Sequence, residues 1–185
     1  MMTITEMTRL LLERRRPAKT LNRDDVPSQQ GLYVWYATDS GEVYYVGKAA
    51  GRGGLRRRIG RQHLNPKYLE TRPERFRPGD EFQLSCGVEA GGRVCVDKSV
   101  FRRNLGRLFG LAPGDRTVQY IREKLAVAWL TADLLGDITK CELDLIRQLR
   151  PKLNAIGVSR APRNQVVAAD PDVAADGRPN SDFLV

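Results

Sequence analysis

The chain has 185 residues, 41% of them hydrophobic and 29% charged, which suits one globular domain with insertions and is short for two domains. Its longest clear apolar run, Leu125–Leu130, is too short to span a bilayer, and the N-terminus lacks the apolar core of a signal peptide, so we expect a cytoplasmic protein rather than a membrane protein. The net charge of +9 comes almost entirely from residues 48–77, where ten Lys or Arg stand against two Glu; this is typical of a surface that binds a phosphate backbone, but also of a solvated charged helix.

The first elements in chain order are an N-terminal arm and a β-hairpin. The arm, residues 1–29, consists of a short helix that Pro17 stops and an extended linker. Strands are predicted over Gly31–Ala37 and Val43–Val46, because both segments are rich in aromatic and β-branched residues and turn residues separate them. The hairpin opens a domain that covers residues 30–159.

A helix and an insertion follow the hairpin. Leu55 and Ile59 predict a helix that turns its apolar side towards the core and its arginines outwards. Residues 64–120 are less regular and are predicted to form an insertion. Within it, residues 81–89 favour a strand and residues 99–109 favour a helix.

The domain closes with one more strand and one more helix. Residues 124–131 predict a buried strand, and residues 139–150 predict a helix that Pro151 stops. Beyond the domain, residues 160–185 are rich in Ala, Asp and Pro and poor in large apolar side chains. That composition predicts a disordered tail.

The cysteine and histidine content limits the kinds of metal site. Cys86, Cys95 and Cys141 are scattered without a CxxC spacing, which argues against a disulfide framework and against a zinc site. His63 is the single histidine of the chain. Any metal must therefore be held mainly by carboxylate oxygens, which favours Mg²⁺ or Mn²⁺ over Zn²⁺.

The last predicted helix carries a carboxylate on its apolar face. Glu142 precedes Leu145, Ile146 and Leu149 by three, four and seven residues, so it shares their face. A carboxylate turned towards a core is costly unless it is paired, hydrogen-bonded or bound to a metal. An ion pair with an arginine, a position near the helix start and a metal site each account for it.

Two tyrosines and a run of arginines add further candidates for chemistry. Tyr33 and Tyr45 lie on neighbouring predicted strands, where their rings can meet; plain cross-strand packing is the simplest interpretation. Because its pKa is near ~10, a tyrosine needs a neighbouring cation or metal to act as a base. Residues 56–58 supply arginines, whose planar guanidinium suits the spread charge of a phosphoryl transition state.

Four short motifs follow one another along the chain: Gly31-Leu32-Tyr33, Tyr45-Val46-Gly47, Leu55–Ile59 with His63, and Glu142 to Asn154 with Pro151 and Leu153. Taken in this order, they resemble the motifs of the GIY-YIG nuclease superfamily. The resemblance covers residues 31–63 and about 124–154. It implies an α/β (α+β) domain, in which a small three-stranded antiparallel sheet is flanked by helices and carries a helical and strand insertion at residues 64–120.

The resemblance also implies roles for particular residues. Glu142 would hold a single Mg²⁺ or Mn²⁺. Tyr33 and Tyr45 would activate or orient the attacking water. Arg58 would stabilise the pentavalent phosphate, and Asn154 would brace the site through hydrogen bonds.

The histidine position departs from the family's pattern. The family often has a histidine four residues after the arginine, where this chain has Gln62. His63 lies one residue further on, about 100° around an α-helix. Either the helix is distorted near Gly60 and His63 belongs to the site, or the role of the histidine is weakened.

The function that the resemblance implies is a Mg²⁺-dependent DNA endonuclease, a phosphodiesterase. The long insertion is similar to those of restriction-type members, so a restriction or anti-phage enzyme, acting as a homodimer for double-strand cleavage, is the first expectation. The alternatives are a structure-specific repair or recombination nuclease and a non-catalytic nucleic-acid-binding module. DNA contacts are expected from nine basic residues, namely Lys48, Arg56, Arg57, Arg61, Lys67, Arg72, Arg75, Arg102 and Arg103. Base reading is expected from the polar residues Asn65, Gln83 and Asn104.

Overall fold

The computed structural model describes residues 2–71, 83, 86–90 and 93–154. The strand predicted at residues 81–89 falls largely outside this part of the chain. The same is true of Arg72, of Arg75 and of the tail over residues 160–185, so these predictions stay predictions.

A four-stranded antiparallel sheet, with strand order β1-β7-β2-β3, forms the centre of a mixed α+β fold. Its strands are β1 (Arg16–Pro17), β2 (Gly31–Ala37), β3 (Val43–Ala49) and β7 (Leu125–Thr131). The predicted hairpin and the predicted third strand are confirmed as β2, β3 and β7. The three-stranded prediction was one strand short, because the two-residue β1 pairs with the outer edge of β7.

The insertion builds a second sheet and two helices. Strands β4 (Leu69–Thr71), β5 (Val88–Ala90) and β6 (Arg93–Asp97) form a three-stranded antiparallel sheet in the order β4-β6-β5. The helix predicted near residues 99–109 is confirmed as α3 (Val100–Phe109). A further helix, α4 (Asp115–Lys124), leads directly into β7.

The remaining helices are α1 (Ile4–Glu13), α2 (Gly54–Arg56) and α5 (Ile138–Leu149), the last of which confirms the predicted final helix. The short α2 continues as a π-helix over Arg57–His63. Of the helices in the described part of the chain, none is long and apolar enough to cross a membrane.

Both faces of the main sheet are buried. Side chains alternate along a strand, so Tyr33 and Trp35 point to one face while Leu32 and Val34 point to the other. The first face packs against α2, the π-helix, α3 and α4, and the second packs against α1 and α5. Every residue of β2 is therefore buried, as expected for a central strand covered on both sides.

Residues 2–29 of the predicted arm pack against the main sheet. Met7 and Leu11 of α1 are buried against the second face of the sheet. The predicted extended linker instead forms 3₁₀ turns at Ala18–Thr20 and Arg23–Asp25. These turns bury Ala18, Leu21 and Val26, whose irregular spacing carries no helical or strand periodicity that would have predicted them.

A fully buried arginine ties the insertion to the π-helix. The Arg102 guanidinium donates hydrogen bonds to the backbone oxygens of Gln62 (3.3 Å) and Asn65 (2.6 Å) and to Thr117 Oγ1 (3.2 Å). It also forms an ion pair with the buried Asp97. The structure thus contradicts the prediction that Arg102 contacts DNA, because its guanidinium is enclosed and already bonded.

Replacing Arg102 with methionine should strongly destabilise the fold. The substitution leaves the Asp97 carboxylate buried without its partner, a loss that typically costs about 3–5 kcal/mol. We expect urea denaturation to show a reduction of that size in the free energy of unfolding. Arg116→Met, at an exposed position of α4, is the control and should change stability by less than about 0.5 kcal/mol. Similar losses in both variants would show that the Arg102 network does not hold the insertion.

Candidate active site

One cavity of about 260 Å³ brings together the predicted catalytic residues of the hairpin, the π-helix and α5. It lies at the β3 edge of the main sheet, between the π-helix, α3 and α5. Of the six predicted catalytic residues, Asn154 alone does not line it. The lining residues are Tyr33, Tyr45, Lys48, Arg58, Gln62, His63, Tyr68, Lys98, Ser99, Val100, Phe101 and Glu142.

A glycine on β3 allows Tyr33 to reach the cavity. In the strand register Tyr33 lies opposite Gly47. A Cβ atom on Gly47 would lie 2.5 Å from the Tyr33 hydroxyl and 2.7 Å from the Tyr45 ring. The missing side chain therefore leaves room for both phenol rings, whose centroids are 6.2 Å apart as the cross-strand prediction requires.

The π-helix brings the histidine into the same cavity. Residues Arg57–His63 follow an i→i+5 pattern, and the Leu64 N–H donates to the Ile59 oxygen at 3.0 Å. In an α-helix His63 would lie roughly 140° around the axis from Arg58. In a π-helix, residues five positions apart lie on nearly the same side of the axis. Arg58 and His63 therefore both face the cavity. Of the two alternatives for this helix, the structure has the distorted one, with His63 in the cavity.

His63 is held from both sides of its ring. Nε2 lies 2.9 Å from the Tyr33 hydroxyl, and Nδ1 lies 2.9 Å from Ser99 Oγ. Ser99 caps α3 and accepts a hydrogen bond from the Arg102 backbone N–H at 3.4 Å. Phe101 packs edge-on against the imidazole with a centroid distance of 5.1 Å. The ring is thus fixed between β2 and the start of α3.

The protonation states in the cavity follow from burial. Burial lowers the pKa of His63 well below its ordinary value, and the Arg58 charge lowers that pKa further. Burial raises the pKa of Tyr33 well above its ordinary value and also raises the pKa of Tyr45, to which Glu142 adds. His63 is therefore neutral at pH 7, with one ring nitrogen that donates and one that accepts.

Glu142 lines the cavity and forms an ion pair with Lys48 there. Helix α5 begins at Ile138, so Glu142 lies beyond the first turn and a helix-start role is excluded. Its Oε2 lies 3.0 Å from Lys48 Nζ, which also donates to Thr139 Oγ1 at 3.2 Å. The ion-pair alternative thus holds with a lysine in place of an arginine. Lys48, expected to contact DNA, is positioned beside the carboxylate.

The donors around Glu142 suit a hard divalent cation. Among the described residues, no group of three or more His, Cys, Asp or Glu could hold a metal ion. Mg²⁺ commonly binds through one or two carboxylates and completes its coordination with water and substrate phosphate. Glu142, which already attracts a cation and shares the cavity with two phenols, fits that donor set.

Asn154 braces the strand that carries the site. Its Oδ1 accepts from the Val46 N–H and its Nδ2 donates to the Val46 oxygen, both at 2.8 Å. The neighbouring Leu153 N–H donates to the Tyr44 oxygen at 2.8 Å, so residues 153 and 154 cover the open edge of β3. Asn104 of α3 holds this segment by donating to the Leu153 oxygen at 2.8 Å. The bracing contacts expected of Asn154 are present.

Several residues of the insertion predicted to contact DNA are buried. Arg103 donates to the Asp97 oxygen at 2.8 Å and pairs with Glu70 at 3.1 Å. Gln83 is enclosed and accepts from the Asp97 N–H at 3.2 Å. Asn104 is enclosed as well. The structure contradicts the predictions that Arg103 contacts DNA and that Gln83 and Asn104 read bases, because these side chains already bond inside the protein.

The other basic residues lie elsewhere. Arg56, Arg57 and Arg61 line a separate cavity of about 380 Å³. Lys67 is exposed on the turn before β4, where its backbone N–H donates to Asn65 Oδ1 at 3.0 Å. Their contact with DNA stays a prediction.

The sequence did not predict that residues of the insertion line the cavity. Ser99 caps α3 and holds His63, while Lys98 lies over the Tyr68 ring at 5.7 Å. A serine directly before an apolar periodic segment is a helix-start signal, and that signal was available for Ser99. Its second bond, to a histidine 36 positions earlier, has no local signature.

The lowered pKa of His63 should make the stability of the protein depend on pH. The unfolded chain binds a proton at His63 near its ordinary pKa of ~6.5, whereas the folded chain does not, so stability is present above that pH and is lost as the pH falls below it. We expect the free energy of unfolding to decrease by up to ~1.4 kcal/mol per pH unit between about pH 6.5 and pH 5.5.

Urea denaturation of wild type and His63→Gln at several pH values measures this effect. Because His63 is the only histidine, subtracting the His63→Gln curve removes the contribution of all other groups. Parallel curves for the two proteins would contradict a neutral buried histidine.

Comparisons with models of protein families, with curated proteins and with solved structures find no match for this chain. The assignment of a function therefore depends on the geometry and chemistry of the cavity. The residues that meet there come from β2, β3, the π-helix, α3 and α5.

Proposed function

We propose that this protein is a Mg²⁺- or Mn²⁺-dependent endonuclease that hydrolyses phosphodiester bonds in DNA, as its resemblance to the GIY-YIG superfamily implies. The observation that carries the proposal is the meeting of Tyr33, Arg58, His63 and Glu142 in one cavity. These residues lie on three separate elements and supply a phenol, a cation, a neutral imidazole and a carboxylate. Together they suit phosphoryl transfer.

Arg58 is the group that would stabilise the reacting phosphate. Its Nη1 donates to Gln62 Oε1 at 2.7 Å, which fixes the guanidinium at the cavity wall. A fixed guanidinium can donate parallel hydrogen bonds to two phosphate oxygens. Charge that develops on those oxygens as the phosphorus becomes five-coordinate is then neutralised without rearrangement of the site.

Tyr33 and His63 would handle the proton of the attacking water. As the water oxygen forms a bond to phosphorus and one P–O ester bond breaks, the Tyr33 oxygen takes a proton from the water and passes its own to His63 Nε2. This relay requires the tautomer in which Nδ1–H donates to Ser99 Oγ, 2.9 Å away, because Nε2 is then free to accept. His63 then returns its proton through Tyr33 to solvent, and the departing oxygen is protonated by water. Glu142 would hold the cation, which would supply Lewis-acid polarisation of a phosphate oxygen.

Restriction and repair enzymes both require this reaction. Base reading by the insertion was the reason to favour a restriction or anti-phage enzyme. Arg102, Arg103, Gln83 and Asn104 are buried, which removes much of that support. Binding nucleic acid without cleaving it does not require a neutral His63 that is hydrogen-bonded to Tyr33 near Glu142. We therefore favour the nuclease.

Glu142→Gln should abolish cleavage of supercoiled plasmid in Mg²⁺. Without the carboxylate the cavity loses its anionic metal ligand, and we expect the rate to fall by about 100-fold or more. The control is Asp144→Asn on the same helix, whose carboxylate pairs with Arg147 at 3.3 Å outside the cavity and should be dispensable. Near wild-type cutting by Glu142→Gln would refute the metal assignment. Absence of cutting by the wild type with tight DNA binding would favour the binding module.

Ser99→Ala should change the tautomer of His63 and slow cleavage. With no acceptor for Nδ1–H, the imidazole loses its preference for the form that accepts at Nε2, and we expect a rate loss of about tenfold to 100-fold. ¹⁵N NMR reads the tautomer directly, because the single histidine gives one pair of ring signals. Ser99→Thr keeps the hydroxyl and the helix cap and should restore both readouts. An unchanged tautomer in Ser99→Ala would reduce the role of Ser99 to capping α3.

A further inference from the structure

A second cavity collects positive charge on another face of the helix that carries Arg58. The cavity of about 380 Å³ is lined by Ser28, Gly53 and five arginines, Arg23, Arg52, Arg56, Arg57 and Arg61. A neighbouring cavity of about 220 Å³ shares Arg23 and Arg61 and adds Arg122. We call the two together the arginine groove. None of its residues lines the candidate active site.

The positive charge of the groove is largely uncompensated. Arg56 pairs with Asp24 at 3.6 Å, and the Asp24 side chain is 91% exposed. Among the described residues, no carboxylate lies within ion-pair distance of Arg23, Arg52 or Arg61. Like charges that line one cavity repel each other, which costs stability unless an anion joins them.

Parts of the groove are fixed before any ligand binds. Arg56 Nε donates to the Val26 oxygen at 2.7 Å, and Arg57 Nη1 donates to the Arg52 oxygen at 3.3 Å. The chain turns between Arg52 and Arg56 at Gly53, whose φ of +86° lies in the left-handed region that favours glycine. A guanidinium that is already ordered loses less side-chain entropy when it binds an anion.

The lining favours a chain of phosphates over a nucleotide or a single ion. Among the described residues, no aromatic side chain lines either cavity, so they offer a base no surface on which to stack. The two cavities share Arg23 and Arg61 and together are lined by six arginines, which is more than one phosphate group requires. Regularly spaced phosphates of a nucleic-acid backbone match an extended groove of arginines.

We propose that the arginine groove binds the phosphate backbone of the DNA substrate away from the phosphate that is cleaved. The inference rests on the proposed function for the identity of the ligand. Because Arg57 and Arg58 are consecutive but line different cavities, one helix would hold the flanking backbone and present the arginine that contacts the reacting phosphate. The groove extends the expected DNA contacts to Arg23 and Arg52.

The salt dependence of DNA binding tests the proposal. Fluorescence anisotropy with a duplex of about 20 base pairs, in EDTA to prevent cleavage and over about 50 to 200 mM salt, gives the slope of log K against log salt. Each lost phosphate contact should reduce the slope by about 0.9. The variants are Arg57→Gln/Arg61→Gln, which should lose about two units, and Arg52→Gln, which should lose about one. Arg116→Gln is the control, an exposed arginine outside the groove, and should keep the wild-type slope.

Melting curves first establish that each variant is folded, and Arg52→Gln, in the loop before α2, keeps the test available if the double variant unfolds. Wild-type slopes in the folded groove variants overturn the proposal. A second outcome also overturns it: inorganic phosphate raises the melting temperature of the wild type, the groove variants abolish that rise, and their DNA binding is unchanged. The groove would then bind free phosphate and not DNA. Reduced slopes in a protein that never cleaves DNA support the groove and refute the nuclease. Cleavage with unchanged slopes refutes the groove alone.

Discussion

The contacts of His63 with Tyr33 and Ser99 are the constraint on which the candidate active site depends. Each is 2.9 Å long, and all three side chains are buried, so water cannot replace a lost partner. The ring reaches both partners because the helix widens to the π form, a rare geometry that neighbouring contacts must hold. Arg102 supplies such contacts when it binds the backbone oxygens of Gln62 and Asn65 on either side of His63.

The insertion is therefore a structural part of the site. Asp97 and Arg102 fix the end of the π-helix, Ser99 fixes the imidazole, and Asn104 fixes the segment that covers β3. A buried ion pair such as Asp97–Arg102 adds little net stability compared with apolar packing, but breaking it is costly. Such a pair suits a position where one geometry must be selected. Exposed arginines and asparagines at these positions would have suited DNA contacts. Because Arg102, Arg103 and Asn104 are buried, they bond within the protein instead.

Local patterns predicted the central elements, and together with the family resemblance they predicted the catalytic candidates that line the cavity. Strands β2, β3 and β7 are rich in apolar, aromatic and β-branched residues, and helix α5 has a periodic apolar face. Glu142 stood out because a carboxylate interrupted that face. The sequence did not predict β1, whose two residues gain strand geometry only by pairing with β7, nor the buried 3₁₀ turns before β2. Arginine and asparagine roles in α3 were also mispredicted, because an isolated sequence does not reveal which side chains find partners 30 or more positions away.

The electrostatic field of Arg58 links the geometry of the site to the proposed chemistry. Burial is the larger influence on all three titratable rings, raising the pKa of Tyr33 and Tyr45 and lowering that of His63. The Arg58 charge opposes burial at the tyrosines but adds to it at the histidine, because a cation favours a phenolate and disfavours an imidazolium. In the proposed reaction a proton that reaches His63 is consequently held weakly and leaves again soon. His63 then acts as a relay for Tyr33, and its neutral form is restored for the next turnover without a separate base.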